Sequence, residues 1–191
     1  MERSRLLRFA ILAAVCLAAQ PPTADAAIVI SGDVDPADVG GWKSNRSAYV
    51  GKTTAGELEI NGGSNLASND GYLGYENTAT GVVTVDGAGS TWTNSRDFYV
   101  GYEGSGTLNI SGDGTVSAGR STCVACQTGS TGSIHFGPGG GTLTTGSLFA
   151  SPTQLTGTGT IHTRGLVSDV DLVFDSAASL TQTRMALPLV A

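Results

Sequence analysis

The chain has 191 residues, of which 28 are glycine, 14% are charged and only 6% are aromatic. This composition excludes an average helical domain and a charge-rich disordered chain, and it suits short strands separated by frequent turns. The formal net charge is −6, and no run of lysine or arginine follows residue 26. Nucleic acid and anionic membrane surfaces are therefore poor candidate partners.

Residues 1–26 have the pattern of a secretory signal peptide. Three arginines precede an unbroken apolar run over residues 9–19, and the segment ends in Ala-Asp-Ala at residues 24–26, which fits an Ala-x-Ala cleavage site. The apolar run is shorter than the ~20 residues of a spanning helix. We expect an exported product, secreted or held at the cell surface, whose mature chain has no membrane span.

Residues 27–48 are predicted to form an N-terminal cap made of a strand and a turn region. The apolar run at 28–30 favours a strand, and the residues after it are rich in glycine, aspartate and proline. Pro36 interrupts the aspartate spacing of an EF-hand, so we interpret the aspartates as a solvated turn rather than a calcium site. Trp42 is expected to close this end of the core. The aspartates concerned are Asp33, Asp35 and Asp38.

Residues 49–180 are predicted to be a stacked repeat array, and residues 181–191 a frayed tail. Repeats start near residues 49, 72, 99, 123 and 148, in steps of 23 to 27 residues, and a last coil starts near residue 166. The units consist of short β-branched runs cut by glycines, without an apolar helical stripe. We predict an all-β fold, a single-stranded parallel β-helix of about five to six coils with three short strands in each coil.

Alternation within the strands predicts which side chains face the core. The inward set of the middle strand is Leu58/Ile60, Val83/Val85, Leu108/Ile110 and Ile134/Phe136, and its outward set is Glu59, Thr84, Asn109 and His135. The opening strand is predicted to stack Val50, Leu73, Val100, Val124 and Phe149 inward, and the closing strand Leu66, Trp92, Val116 and Leu143.

The repeat resembles a known family. The Tyr-Val/Leu-Gly opening, the Leu/Val-x-Ile/Val strand and the run Val-Asp-Gly-Ala-Gly-Ser-Thr-Trp at 85–92 are similar to repeats of bacterial type V secretion (autotransporter) passengers and PEP-CTERM-associated proteins. The resemblance implies an exported, surface-associated β-helical segment with a structural, adhesin-like role. It identifies no enzyme.

Two outward columns of tyrosines are candidate ligand-binding residues. Stacked rings could hold sugars against their faces, which would make the chain a carbohydrate-binding module; the other interpretation is cross-strand packing between like residues. The columns are Tyr49, Tyr72 and Tyr99, and Tyr75 and Tyr102.

Cys123 and Cys126 are the only cysteines after the leader. A Cys-x-x-Cys pair in an exported chain can be a local disulfide, half of a metal site or a redox pair. We favour a structural disulfide or two packed thiols, because zinc needs further ligands and nothing indicates a thioredoxin-like helix. His135 and His162 are predicted to share a repeat position, but two histidines form an incomplete metal site. We predict no metal and no cofactor.

A polysaccharide-degrading β-helix enzyme is a third hypothesis, but no catalytic residues are predicted. Glu57 and Glu59 are expected on opposite faces of their strand, and Glu76 and Glu103 lie in a variable loop. Glycosidase chemistry needs two carboxylates held ~5–10 Å apart across a cleft, so we expect no enzyme activity. Expected partners are an extracellular polysaccharide or another surface protein, and the uncapped strand edges suggest end-to-end self-association.

Overall fold

The structure, a computed structural model, describes residues 26–167, and these form an all-β solenoid of about four turns. The parallel β-helix predicted from the repeat is therefore confirmed. The number of turns is lower than the expected five to six, and the last coil predicted near residue 166 extends beyond the described residues. No α-helix occurs in the described part of the chain.

Short strands follow one another along the whole described segment, with two 3-10 turns, η1 (Val39–Gly41) and η2 (Pro152–Gln154). The strands are β1 (Ala27–Gly32), β2 (Val34–Asp35), β3 (Ala48–Val50), β4 (Ala55–Asn61), β5 (Asn65–Ser68), β6 (Gly71–Leu73), β7 (Thr80–Asp86), β8 (Thr91–Asn94), β9 (Phe98–Val100), β10 (Ser105–Ser111), β11 (Gly114–Val124), β12 (Thr131–Phe136), β13 (Gly141–Phe149), β14 (Leu155–Gly157) and β15 (Thr160–Val167).

Each turn contributes an opening, a middle and a closing strand. The middle strands stack in the order β4-β7-β10-β12-β14 within one sheet, and each of them pairs in parallel with the next. The opening strands β3, β6 and β9 and the closing strands β5 and β8 belong to the second sheet. In later turns a closing strand continues directly into the next opening strand, as in β11, which bulges between Ala118 and Ser121.

The middle strands carry the predicted alternation. Their inward side chains are at most 5% exposed, and their outward partners are half-buried or exposed. The predicted closing-strand column is also buried and in register, running Leu66, Trp92, Val116 and Leu143. Apolar burial along these columns supplies the main driving force for folding.

The prediction that Phe149 faces the core is wrong. Phe149 lies opposite Cys123, which lies opposite Tyr99, and it is 40% exposed. The next residue, Ala150, is buried instead. Alternation in a strand has a period of two, so aligning the last repeat one residue too early reversed the predicted direction of the side chain.

Trp92 and Phe98 fill the middle of the core. Both are fully buried, and their rings meet edge to face with centroids 5.0 Å apart. Gly71 leaves room for them, because a Cβ at this position would collide with the Asn94 and Phe98 side chains. Ser68 accepts a 3.1 Å hydrogen bond from Trp92 Nε1 and donates one of 2.7 Å to Asn94 Oδ1, so these buried polar groups are paired.

The N-terminal end of the solenoid is covered by antiparallel strands. β1 pairs antiparallel with β4, and β2 pairs antiparallel with β3. Trp42 is buried beside Trp92, with ring centroids 5.8 Å apart, and its Nε1 donates a 2.8 Å hydrogen bond to the Pro36 carbonyl. This tryptophan covers the end of the core, as predicted.

The chain leaves four successive opening strands through a left-handed residue, whereas Ser151, at the same position after β13, is extended with φ of −78°. Gly51, Gly74 and Gly101 have φ of 70°, 60° and 78°, and Ala125 takes the same position in the next turn with φ of 54°. A Cβ on Gly101 would collide with the carbonyl oxygen of Thr131 in the following turn. The glycine of the Tyr-x-Gly motif therefore permits both the bend and the close approach of neighbouring turns.

We predict that substitutions at Gly101 and Ala125, which occupy the same repeat position, have different effects on stability. Gly101→Ala should lower the free energy of unfolding by about 2 kcal/mol or more, because it adds left-handed strain and a backbone clash. Ala125→Gly should change it by less than about 0.5 kcal/mol, because relief of strain offsets the greater freedom of the unfolded chain. Urea unfolding followed by circular dichroism measures both, and equal losses in the two variants would contradict this explanation of the motif.

Candidate functional site

The two tyrosine columns form one interlocked cluster on the outside of the solenoid. The first column stacks face to face: Tyr72 lies 5.0 Å from Tyr49 and 4.9 Å from Tyr99 between ring centroids, within 11° of parallel. The second column stacks Tyr75 on Tyr102 at 5.2 Å and 5°. These spacings follow from the rise between parallel strands in register, ~4.8 Å.

The columns also meet each other edge to face. The Tyr72 ring contacts both Tyr75 and Tyr102, with centroids 5.3 Å apart in each case. Tyr49 makes the same kind of contact with Tyr75, and Tyr99 makes it with Tyr102. All five tyrosines of the chain belong to this cluster, and each is half-buried. Stacked and edge-to-face geometries are those that aromatic rings favour, so the cluster stabilises the stack of turns.

Burial raises the pKa of the three phenols in the first column. The pKa values of Tyr49, Tyr72 and Tyr99 are raised above the usual range for tyrosine, first because burial disfavours the phenolate. Nearby acidic groups add to the effect, with Asp70 close to Tyr72 and Asp97 close to Tyr99. Tyr49, Tyr72 and Tyr99 therefore present neutral hydroxyl groups at physiological pH.

Both faces of the central ring, Tyr72, are covered by Tyr49 and Tyr99. At the N-terminal end of the column, the Lys52 ammonium lies 5.0 Å from the centroid of the Tyr49 ring, in a cation–π contact. Lys52 also contacts Asp35 Oδ2 at 2.7 Å. A sugar stacking on the middle of the cluster would therefore have to displace a neighbouring tyrosine.

Cys123 and Cys126 are joined by a disulfide, with their Cα atoms 5.8 Å apart. Cys123 lies opposite Tyr99, and Cys126 follows it at the same interval of three that separates Tyr102 from Tyr99. The disulfide thus occupies the positions of the aromatic pair in the preceding turn. A covalent bond replaces an edge-to-face ring contact where the tyrosine cluster ends.

The predicted pairing of His135 with His162 is wrong. His135 lies opposite Thr156 in the sheet of middle strands, and its Nδ1 is 3.0 Å from the Thr156 hydroxyl. His162 lies opposite Thr144 in the other sheet. The similar runs Ile-His-Phe and Ile-His-Thr suggested equivalence, but the pairing of β12 with β14 places the two runs in different strands of the turn. Within residues 26–167, no three His, Cys, Asp or Glu side chains form a metal-binding group.

The acidic side chains of β4 and of the N-terminal turn region have separate surroundings. Glu57 and Glu59 are both exposed on the same face of β4, contrary to the expectation of opposite faces, because residues two apart in a strand point the same way. Asp33 accepts hydrogen bonds from the backbone N–H groups of Thr53 and Thr54, which lower the pKa of Asp33. Asp35 instead contacts Arg46 and Lys52, and Asp38 accepts a bond from the Gly40 N–H.

Comparison with known protein families, with curated proteins and with solved structures gave no match. No helix within residues 26–167 is long and apolar enough to cross a membrane.

We predict that the tyrosine cluster acts through its rings. Tyr72→Ala should lower the free energy of unfolding by about 2 to 4 kcal/mol, because it removes a half-buried ring and four aromatic contacts. Tyr72→Phe, the matched control, keeps those contacts and should cost less than about 1 kcal/mol. Urea unfolding measures both variants. If the alanine variant is as stable as the unsubstituted chain, the cluster does not stabilise the fold.

Proposed function

We propose that this chain is an exported structural module of the cell surface or extracellular matrix, with an adhesin-like passenger role. The observation that carries the proposal is the unbroken stack of turns through residues 48–167, in which the repeat serves packing in every turn. Such a solenoid exposes long, regular outer faces on a rigid support. The resemblance to autotransporter and PEP-CTERM-associated repeats and the leader at residues 1–26 support export.

Export is tested directly with the full chain carrying a C-terminal epitope in a Gram-negative host. We expect the epitope outside the cytoplasm on a product whose N-terminus is Ala27, identified by mass spectrometry of the purified chain. Leu12→Arg, which places a charge within the apolar run, should keep the product inside with its leader attached. Cytoplasmic recovery of the unsubstituted chain with residues 1–26 intact would overturn the proposal.

Carbohydrate binding by the tyrosine cluster is the alternative proposal. Because neighbouring rings cover the faces of Tyr72, a sugar would have to use ring edges, hydroxyl groups and the outer rings of the columns. A glycan array separates the two proposals. Binding that is lost in Tyr75→Ala or Tyr102→Ala variants that remain folded would favour the carbohydrate-binding module, and binding that persists in both would exclude the cluster as its site. Robust release of reducing sugar from acidic polysaccharides would instead favour an enzyme.

A further inference from the structure

All four arginines within the described residues lie in one column along the solenoid, although the sequence shows no basic run. Backbone hydrogen bonds define the first rungs: the Asn69 N–H donates to the Arg46 carbonyl at 2.8 Å, and the Arg96 N–H donates to the Asn69 carbonyl at 2.9 Å. The Arg120 N–H donates to the Arg96 carbonyl at 2.9 Å. Arg46, Asn69, Arg96 and Arg120 therefore occupy one position in four successive turns.

The column continues beyond the bulge of β11. Gly146 lies against Arg120, since a Cβ at Gly146 would collide with the Arg120 carbonyl oxygen. Thr145 pairs with Thr163 and Ser147 with Gly165, so Arg164 lies opposite Gly146. The full order is Arg46, Asn69, Arg96, Arg120, Gly146 and Arg164. We call this set the arginine column.

The C-terminal half of the arginine column holds two arginines without an ion-pair partner among the described residues. Arg46 contacts Asp35 at 3.3 Å, and Arg96 Nε lies 4.0 Å from Asp70 Oδ1. Arg120 and Arg164 are exposed, and neither forms an ion pair with any residue from 26 to 167. The residues that follow them, Ser121 and Gly165, are uncharged, although the Ser121 N–H and hydroxyl donate to the Asp97 carboxylate of the preceding turn.

Ion pairs within the fold account for Arg46 and Arg96, but no described contact accounts for the placement of Arg120 and Arg164. Like charges on directly adjacent strands destabilise a sheet, and Arg96 and Arg120 occupy consecutive rungs. The chain as a whole has a formal charge of −6, so a concentration of arginine on one column runs against its average surface. Asp70 and Asp97 offset part of this repulsion, and an anion bound at Arg120 and Arg164 would relieve the rest.

We propose that the arginine column binds an anionic polysaccharide that runs along the solenoid axis. Rungs of the column are ~4.8 Å apart, so Arg96, Arg120 and Arg164 present guanidinium groups in line at one-rung and two-rung intervals. Guanidinium groups bind carboxylate and sulfate oxygens through paired N–H donors, and a polymer with regularly spaced acidic groups engages several of them together.

The choice of a polysaccharide over a nucleic acid rests on the proposed export of the chain and on the surface beside the column. Single-stranded nucleic acids bind through aromatic faces on which bases stack. In the tyrosine cluster, one face of Tyr99 is covered by Tyr72, and both faces of Tyr72 are covered. A backbone-directed ligand that needs no base stacking fits this surface better.

Binding of the purified chain to polygalacturonate and to dextran sulfate tests the proposal, with uncharged dextran as the comparison. We expect binding to at least one acidic polymer that weakens as salt rises, and none to dextran. Arg120→Gln combined with Arg164→Gln should weaken binding about tenfold, which corresponds to two exposed charge contacts of about 0.7 kcal/mol each. Asn69→Arg fills the second rung and should tighten binding about threefold on the same basis.

The matched control is Thr78→Glu combined with Thr128→Glu. It lowers the net charge by the same two units at exposed loop residues outside the column, and it should weaken binding less than about twofold, because screening limits long-range effects. Circular dichroism confirms that each variant is folded. Three outcomes would overturn the proposal: unchanged binding in the double-glutamine variant, an equal loss of binding in the control, or no binding to either acidic polymer.

Single-stranded DNA at equal charge concentration is the competitor. If it displaces the acidic polysaccharides without itself being displaced by them, the column is a nucleic-acid site and the polysaccharide assignment fails. These measurements use purified protein, so they are independent of secretion. Cytoplasmic retention in the export experiment would overturn the proposed function without changing the measured affinity, whereas a chain that is exported but does not bind would overturn only the ligand.

Discussion

The in-register hydrogen bonding of each turn onto the turn before it is the constraint on which the rest of this structure depends. Parallel pairing places equivalent residues directly above one another at intervals of ~4.8 Å, so one choice in the repeat becomes a column through the whole stack. The left-handed bend at Gly51, Gly74 and Gly101, which Ala125 also adopts, favours this register because it turns the chain at one repeat position in four successive turns. All remaining positions of the repeat, inside and outside the solenoid, are then stacked in columns as well.

Inside the solenoid, the columns are apolar and vary in size from turn to turn. Ala48 and Gly71 lie in register with the large Phe98, and the space they leave is filled by the rings of Trp92 and Phe98. The core is therefore packed by compensation between neighbouring turns rather than by identical residues. Ser68 and Asn94 add a paired polar contact within this core, which holds the closing strands in register.

Outside the solenoid, stacking has opposite consequences for different side chains. Tyrosines gain from lying above one another, since their rings stack and also meet edge to face, and the disulfide of Cys123 and Cys126 continues that pattern by a covalent bond. Arginines lose from the same arrangement, because the register brings like charges together. The tyrosine cluster is thus explained by the stability of the fold, whereas in the arginine column only Arg46 and Arg96 have ion-pair partners among the described residues.

Prediction from the repeat succeeded where a position is tied closely to its motif. The inward aliphatic residues of the middle strands follow from alternation within a few residues of each glycine, and they are buried in every full turn. It failed toward the end of the array, where the motif is degenerate. Phe149 was assigned one residue out of register, and His162 was matched to His135 through a local similarity that the strand pairing does not support.

The sequence by itself determined the repeat period, the alternation of apolar and polar residues, and hence the class of fold. These are local properties of the chain that recur in each repeat. Tertiary structure alone decided which distant residues lie side by side. The spacings between successive arginines of the column are 50, 24 and 44 residues, which no inspection for basic runs would connect. Loops and bulges change the length of each turn, so only the backbone hydrogen bonds between turns establish which side chains share a column.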